Sequence, residues 1–416
     1  MQLDDDQKAL LEGRRGTAVA SAMRIVVECG RILGAERLIA VESSHVDGAL
    51  YHGDGGVEFA EMLVQGGAKV AIPTTLNIGA LDLMRPDNVR MAPGKRDMAR
   101  RLMKAYQDLG CKPTWTCAPY QAGHRPAAGS QVAWGESNAV AFCNSVLGAR
   151  TNRYGDFLDI ACAIVGFAPE YGLHLTENRA ARILFTTDRL SDALKSQDVF
   201  WPVLGALVGR RSGDLVPAVD GVAAFATEDR LKSLGAAAAS FGSVALFHIV
   251  GSTPEAPDME TALQNRKPET VIDIKPEMIA DALSWLTTAA GEAVTAVGVG
   301  SPHLSYRECL DIVRLLGARR MTLPFYLNTG RHVIDRLDKE GHVRGLERAG
   351  VTLVADTCIV TTPIIREPGG ILMTNSGKFA HYAPGNIGME VVYGSLADCV
   401  ETAVSGRLTR DMTVWN

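Results

Sequence analysis

Ala293-Val294-Thr295-Ala296-Val297-Gly298-Val299 runs into Gly300-Ser301-Pro302-His303 and then into Ser305-Tyr306-Arg307-Glu308. The first seven residues predict a short apolar strand. Ser305 with Glu308 three positions on predicts a capping box, opening a helix that ends near Gly317. The polar residues therefore fall in a loop between strand end and helix start. The same grammar recurs elsewhere. Ala18 to Leu33 has helical spacing, Leu38 to Val41 reads as a strand, and Glu42 to Gly56 reads as a polar connection. Val57 to Val64 reads as a helix closed by Gly66-Gly67, followed by a strand over Ala68 to Ile72. Ile183 to Thr187, Val244 to Ile249 and Val351 to Ala355 are further strand candidates. Strands separated by helices predict an α/β fold with mostly parallel sheets, in which ligands sit beyond the carboxyl ends of the strands.

The chain is 416 residues long, enough for two or three α/β lobes, with Pro/Gly-rich punctuation placing boundaries near 201–217 and 253–268. Lys and Arg number 42 against 47 Asp and Glu, without a block of like charge. Nucleic acid is thus not an expected partner, since phosphate binding needs clustered cations. No apolar run is long enough to span a membrane, and the acidic start Met-Gln-Leu-Asp-Asp-Asp is unlike a signal peptide, so a cytoplasmic protein is expected. Eight cysteines are spread through the chain, the closest pair being Cys111 and Cys117, six apart. Reduced thiols are the default, and any metal site must be assembled from distant segments.

Several segments concentrate chemistry. Glu42-Ser43-Ser44-His45-Val46-Asp47-Gly48 leads into Gly53-Asp54-Gly55-Gly56 before a helix start, a place that suits an anion or simply a capped turn. No dinucleotide or phosphate-loop glycine signature is present. Cys117 precedes Ala118-Pro119, hence lies in extended or turning backbone; Cys358 follows a strand beside Asp356 and Thr357. Either could be a small buried hydrophobe. Cys29, Cys143, Cys162, Cys309 and Cys399 lie in apolar helical patterns and read as core. Glu136-Ser137-Asn138 opens a helix, and Arg150 and Arg153 follow it, suited to a carboxylate or to solvent. Thr374 to Pro384, with Lys378 and His381, reads as neither clean helix nor strand. A thiol hydrolase using Cys117 with His124 or His303 is another reading of these residues.

Taken in order, Ser44-His45-Val46-Asp47-Gly48, Pro73-Thr74-Thr75-Leu76-Asn77, Thr116-Cys117-Ala118-Pro119-Tyr120 and Glu136-Ser137-Asn138-Ala139-Val140 are more specific than any one alone. Asn144 through Thr151, Gly300-Ser301-Pro302-His303, Asp356-Thr357-Cys358 and Ser376-Gly377-Lys378 complete the set. Together they resemble the catalytic region, or large subunit, of the aconitase X family.

The resemblance implies an aconitase-like layered core without the small swivelling domain, and a separate small swivelling subunit as partner. It implies an iron–sulfur hydro-lyase that dehydrates a small hydroxy acid: cis-3-hydroxy-L-proline, or alternatively mevalonate 5-phosphate. Cys117 and Cys358 would share one inorganic centre, with Ser301 at the third ligand position. Serine is a harder ligand than thiolate, so an iron–sulfur cluster of reduced nuclearity and a mononuclear iron both stay open. Substrate contacts would fall to His45, Thr74, Thr75, Asn77, Ser137, Asn138, Arg150 and Thr151, and catalytic roles to Lys378 and Glu136. A reading from another class is a metal-free ligand-binding subunit without turnover.

Overall fold

The structure is a computed structural model describing residues 1–415. The chain divides into two compact units, Met1–Leu81 with Met91–Ala180, and Asp82–Arg90 with Ala181–Asn416. Among the described residues no helix is long and apolar enough to cross a membrane.

The first unit is built around three very short parallel strands. β1 (Leu38–Ala40) pairs antiparallel with a later strand, β5 (Phe167–Pro169), while β2 (Ser44–Val46), β3 (Thr74–Leu76) and β4 (Ala133–Trp134) form a sheet in the order β3-β2-β4. β2 is central, and His45 has Thr75 and Trp134 as its register partners. The stretch Glu42 to Gly56, expected as a connection, therefore contains the central strand. A three-residue strand with Ser and His in it has no apolar period to reveal it; its two hydrogen-bonded neighbours make it a strand. The strand expected over Ala68 to Ile72 is corrected in the same way. Val70 N and Ala71 N donate to the carbonyls of Leu109 and Ala163 outside any ladder, and pairing starts only at Thr74. The helices Thr17–Ile32 and Leu158–Val165 pack on one another within the core, with Ala22, Met23, Val26, Ile160 and Ala161 inaccessible.

The second unit carries two parallel sheets. β6 (Ile183–Thr186), β7 (Pro217–Asp220), β8 (His248–Ile249) and β9 (Thr270–Asp273) run in the order β8-β7-β6-β9. β10 (Val294–Leu304), β11 (Phe325–Thr329), β12 (Val351–Val354), β13 (Ile371–Thr374) and β14 (Glu390–Tyr393) run in the order β12-β11-β10-β13-β14. The central β10 is the strand first read at Ala293 to Val299. It continues through the segment expected as a loop, its pairing with β11 shifting register between Val299 and Leu304. Asn328 Nδ2 donates to Val299 O at 2.7 Å and Thr329 Oγ1 to Leu304 O at 2.7 Å, so side chains of β11 hold the irregular stretch where ladder bonds lapse. The helix Tyr306–Leu316 opens with the expected Ser305/Glu308 capping box.

Thr374 to Pro384 resolves into the end of β13 and a helix, Gly377–Ile387, capped by Ser376 and carrying Pro384 inside it. That interior proline hides the helix from sequence reading. Only His248–Ile249 of the run Val244 to Ile249 is strand. The stretch 201–217 lies mostly in a buried helix, Phe200–Ser212, and 253–268 holds the short helix Met259–Ala262. Of the five cysteines read as core, Cys143, Cys162, Cys309 and Cys399 are buried and Cys29 is partly exposed.

Candidate functional site

In the first unit the three strands end together, and their carboxyl ends collect the polar residues. His45 is fully buried on β2. Its Nδ1 lies 2.9 Å from Thr75 Oγ1, which lies 2.7 Å from Nδ1 of His124, and Nε2 of His124 lies 3.0 Å from Ser43 Oγ. Trp134 on β4 covers both imidazoles, with ring centres 5.5 Å and 4.9 Å away. Burial, reinforced by His124, holds His45 well below its usual range. Burial followed by the Lys112 ammonium brings His124 down to about 4, so both rings are neutral at physiological pH. Thr74 turns back to its own chain, Oγ1 donating to Ile72 O at 2.9 Å.

One residue past β2 and β3, Asn77 Nδ2 donates to the Asp47 carboxylate, and Asp47 N donates to Asp159 Oδ2 at 2.7 Å. Asp159 is fully buried in a helix first turn, and burial pushes its carboxyl well above the usual range. Past β4, Glu136 caps the helix Ser137–Phe142: Ala139 N donates to its Oε2 at 2.6 Å and Ser137 Oγ to its Oε1 at 3.3 Å. Asn138 Nδ2 donates to Cys117 O at 3.1 Å and to Tyr120 Oη at 3.4 Å. This ties the buried Cys117 turn to the helix start.

Thr151 is spent on the fold, accepting from Trp134 N at 3.0 Å and donating to Asn152 O at 2.8 Å. Arg150 Nη1 is directed to Thr176 Oγ1 at 2.7 Å and His174 O at 3.3 Å. What remains is informative. His45 Nε2, Asn77 Oδ1, Trp134 Nε1 and Asn138 Oδ1 are buried and make no hydrogen bond. Leaving such atoms unpaired costs about 1–3 kcal/mol each, so a hydrogen-bonding partner there, a water or a ligand, is favoured.

The second unit brings Ser301, Cys358 and Lys378 to the carboxyl ends of β10, β12 and β13. Ser301 O accepts from Ser376 Oγ, which also accepts from Phe379 N at 3.0 Å, fixing the start of the helix that carries Lys378. His303 Nε2 donates to Thr357 O at 3.0 Å, and Ile359 N donates to Asn328 Oδ1 at 3.1 Å, which holds the turn bearing the buried Cys358. A cavity of about 30 Å³ lies against Lys232, Gly300, Ser301, Asn375 and Ser376. A larger cleft of about 890 Å³, lined by Arg230, Arg307, Asp311, Arg314 and Asp398 among others, contains none of the residues expected from sequence to bind substrate or metal or to act in catalysis.

Among the described residues no group of three or more His, Cys, Asp and Glu is placed to hold a metal ion. By chemistry alone, the thiols of Cys117 and Cys358 are soft donors of the kind a thiophilic centre takes. Cys29, Cys111, Cys143, Cys162, Cys309 and Cys399 are kept as neutral thiols, burial being the first cause in each case. Five of those six are helical, whereas Cys117 and Cys358 lie in irregular backbone, the latter just past β12. Both ring nitrogens of His124 are taken by Thr75 and Ser43, which removes it as an activating partner for Cys117. Sequence reading missed Asp159, met Ser43 only as part of a polar segment, and met His124 only in the hydrolase reading. None has a motif of its own, and His124 is joined to His45 only by folding.

Family models for Aconitase X match in three stretches: the first domain over residues 1–177, the second over 181–284 and the third over 294–405. A cis-3-hydroxy-L-proline dehydratase of Pseudomonas aeruginosa is 40% identical over 419 residues, spanning 100% of this chain and 72% of its own length. One of Hypocrea jecorina is 38% identical, spanning 98% and 69%. A phosphomevalonate dehydratase large subunit of Methanosarcina mazei is 32% identical, spanning 98% of each. The crystal structure of Thermococcus kodakaraensis aconitase X in its holo form superposes with a TM-score of 0.86 at 32% identity, covering 97% of this chain and 100% of that one.

Proposed function

Because the chain belongs to the aconitase X family, we propose that it is a hydro-lyase that removes water from a small hydroxy acid, with cis-3-hydroxy-L-proline as its substrate. The observation that carries this reading is the set of four buried, unpaired polar atoms at the strand ends of the first unit. Two are amide oxygens, Asn77 Oδ1 and Asn138 Oδ1, which accept hydrogen bonds such as a ring ammonium offers. Asp47 and Asp159 stand beside them. A phosphorylated acid would instead need cations there. The two relatives of highest identity reported above, at 40% and 38%, are both named for cis-3-hydroxy-L-proline.

Elimination needs a proton removed beside the carboxylate, charge stabilised as it develops, and hydroxide released. Lys378, half-buried in the first turn of its helix, is suited to clamp the carboxylate; the guanidinium of Arg150 is already engaged by Thr176 and His174. Thr75 and Trp134 orient His45. Glu136, with Ser137 and Asn138, fixes the helix start that presents Asn138. An iron–sulfur cluster, when bound, supplies the Lewis acid that makes hydroxide a better leaving group. Cys117, Ser301 and Cys358 are its candidate ligands. A separate small swivelling subunit is the proposed partner, and the reducing cytoplasm the proposed compartment, in keeping with eight cysteines of which none forms a disulfide.

The test is the chain prepared without air together with a small-subunit partner, assayed on cis-3-hydroxy-L-proline and mevalonate 5-phosphate, with iron measured in parallel. Dehydration of the hydroxyproline, and loss of iron in Cys117→Ser and Cys358→Ser but not in Cys29→Ser, is expected. Ligand binding with neither turnover nor iron would establish the metal-free binding subunit instead.

A further inference from the structure

Thr75 faces His45 across the β2–β3 pairing, and its hydroxyl oxygen stands 2.9 Å from Nδ1 of His45 and 2.7 Å from Nδ1 of His124. A hydroxyl has one hydrogen. Placed between two ring nitrogens, it donates to one and must accept from the other, so one Nδ1 carries a hydrogen and one does not. Both rings are neutral, and a neutral imidazole has a single N–H. The two rings are therefore in opposite tautomers. His124 continues the chain to Ser43 Oγ at 3.0 Å, and Ser43 keeps 8% exposure, while at the other end Nε2 of His45 is buried and unpaired.

We propose that Ser43, His124, Thr75 and His45 form a proton relay in which His124, through the single hydrogen of Thr75, decides whether Nε2 of His45 meets a bound ligand as proton acceptor or proton donor. In the acceptor state His45 holds its hydrogen on Nδ1 and gives it to Thr75, Thr75 gives its own to Nδ1 of His124, and Nε2 of His124 gives to Ser43. A proton arriving at Nε2 of His45 is matched by three shifts: His45 Nδ1 to Thr75, Thr75 to His124, and His124 Nε2 to Ser43, whose hydrogen passes to solvent water. Neither ring ends charged, and the pair has exchanged tautomers.

The catalytic use of the relay rests on the function proposed above; the tautomers themselves do not. In a dehydration the substrate C–H bond breaks, its proton goes to His45 and its electron pair enters the new C=C bond. The C–O bond breaks with its pair leaving on hydroxide, and the proton delivered to water balances that hydroxide. The relay accomplishes this without charging an imidazole that has no solvent to stabilise it. His124 acts through Thr75, so it is a positioning residue.

The experiment is ring-nitrogen NMR on the full chain labelled with ¹⁵N-histidine, comparing wild type with Thr75→Ser, Thr75→Val and His124→Gln. One ring protonated at Nδ1 and the other at Nε2 is expected in wild type and in Thr75→Ser, with the pattern of His45 altered in Thr75→Val and His124→Gln. The same tautomer on both rings, or an unaltered His45 in both of those variants, overturns the relay. Should Thr75→Val not fold, His124→Gln and Thr75→Ser decide. In the assembled enzyme, Thr75→Val should lower kcat about tenfold or more with KM little changed, and Thr75→Ser should restore it. Opposite tautomers without turnover of either substrate would leave the relay standing and refute the function; turnover with matching tautomers would do the reverse.

Discussion

Arg331 grips Asp356 through two parallel bonds, Nε to Oδ1 at 2.8 Å and Nη2 to Oδ2 at 2.7 Å. Asp356 is inaccessible and sits at a φ of 62°, two residues before Cys358, so the ion pair fixes a left-handed turn that an aspartate adopts only at some cost. Burial raises the Asp356 carboxyl, and Arg331 opposes that shift. Arg331→Ala strands the carboxylate and should lower stability by about 3 kcal/mol, read as a lower urea midpoint. Iron retained by the purified enzyme should fall with it. Arg331→Lys keeps the charge but loses the fork, and an undiminished midpoint in that variant would show the paired geometry to be unimportant.

Lys232 is buried between Asp229, at 3.0 Å, and Glu308, and its ammonium also lies 3.5 Å from His303 O. Ser305 Oγ reaches the same Asp229 at 2.9 Å, so the capping box of the helix after β10 is tied to the helix Glu228–Phe241. Lys232→Met leaves two partly buried acids facing one another without their shared cation and should cost about 3 kcal/mol. Lys232→Met with Glu308→Gln should recover part of that loss. Urea denaturation of the two variants measures it, and a double variant no better than the single one would refute a charge origin.

Burial brings His124 and His174 down to about 4, with help from Lys112 and Arg179 respectively, while an unfolded histidine titrates near 6.5. Between those values the unfolded chain binds protons that the folded chain refuses. Stability is therefore full above pH 6.5 and is lost as pH falls toward 4, by up to about 1.4 kcal/mol per unit for each ring. His174→Gln can keep a hydrogen-bonding partner for Tyr154 and Gln131 and should flatten the slope of unfolding free energy against pH. An unchanged slope would mean that His174 is not held neutral.

The fold was legible where pattern and function agree. The helix Thr17–Ile32 and the capping box at Ser305 follow from spacing and chemistry that no tertiary contact is needed to supply. The strands nearest the site were not legible. β2 is Ser-His-Val because the sheet there carries the site: His45 occupies a central-strand position that an apolar residue would otherwise fill, and period-based reading fails on it. The helix bearing Lys378 was obscured by Pro384. The site residues seen in advance belong to contiguous motifs. His124 and Asp159 reach His45 and Asp47 from segments about 80 and 112 positions away in sequence, so only the folded chain relates them.

Gly135 follows Trp134 on β4, and a methyl group added there would stand 2.6 Å from Asp159 Oδ2 and 3.3 Å from Asp47 N. Those are the two partners of the bond that holds Asp47 after β2. Gly135→Ala must push the Asp159 carboxylate aside, and Asp47 then loses its backbone tether while Asn77, bonded to the Asp47 side chain, loses its fixed orientation. Because the disturbance falls on groups proposed to bind the ligand, KM should rise about tenfold or more with a smaller change in kcat. Asp159→Asn offers the comparison: its one oxygen can still accept from Asp47 N, but its amide nitrogen then faces Ile160 N, so it should lower stability by about 1–3 kcal/mol while keeping the Asp47 tether. Calorimetric affinity for the substrate, measured with both variants, separates the outcomes. Wild-type affinity in Gly135→Ala would show that the Asp47–Asp159 contact does not position the ligand.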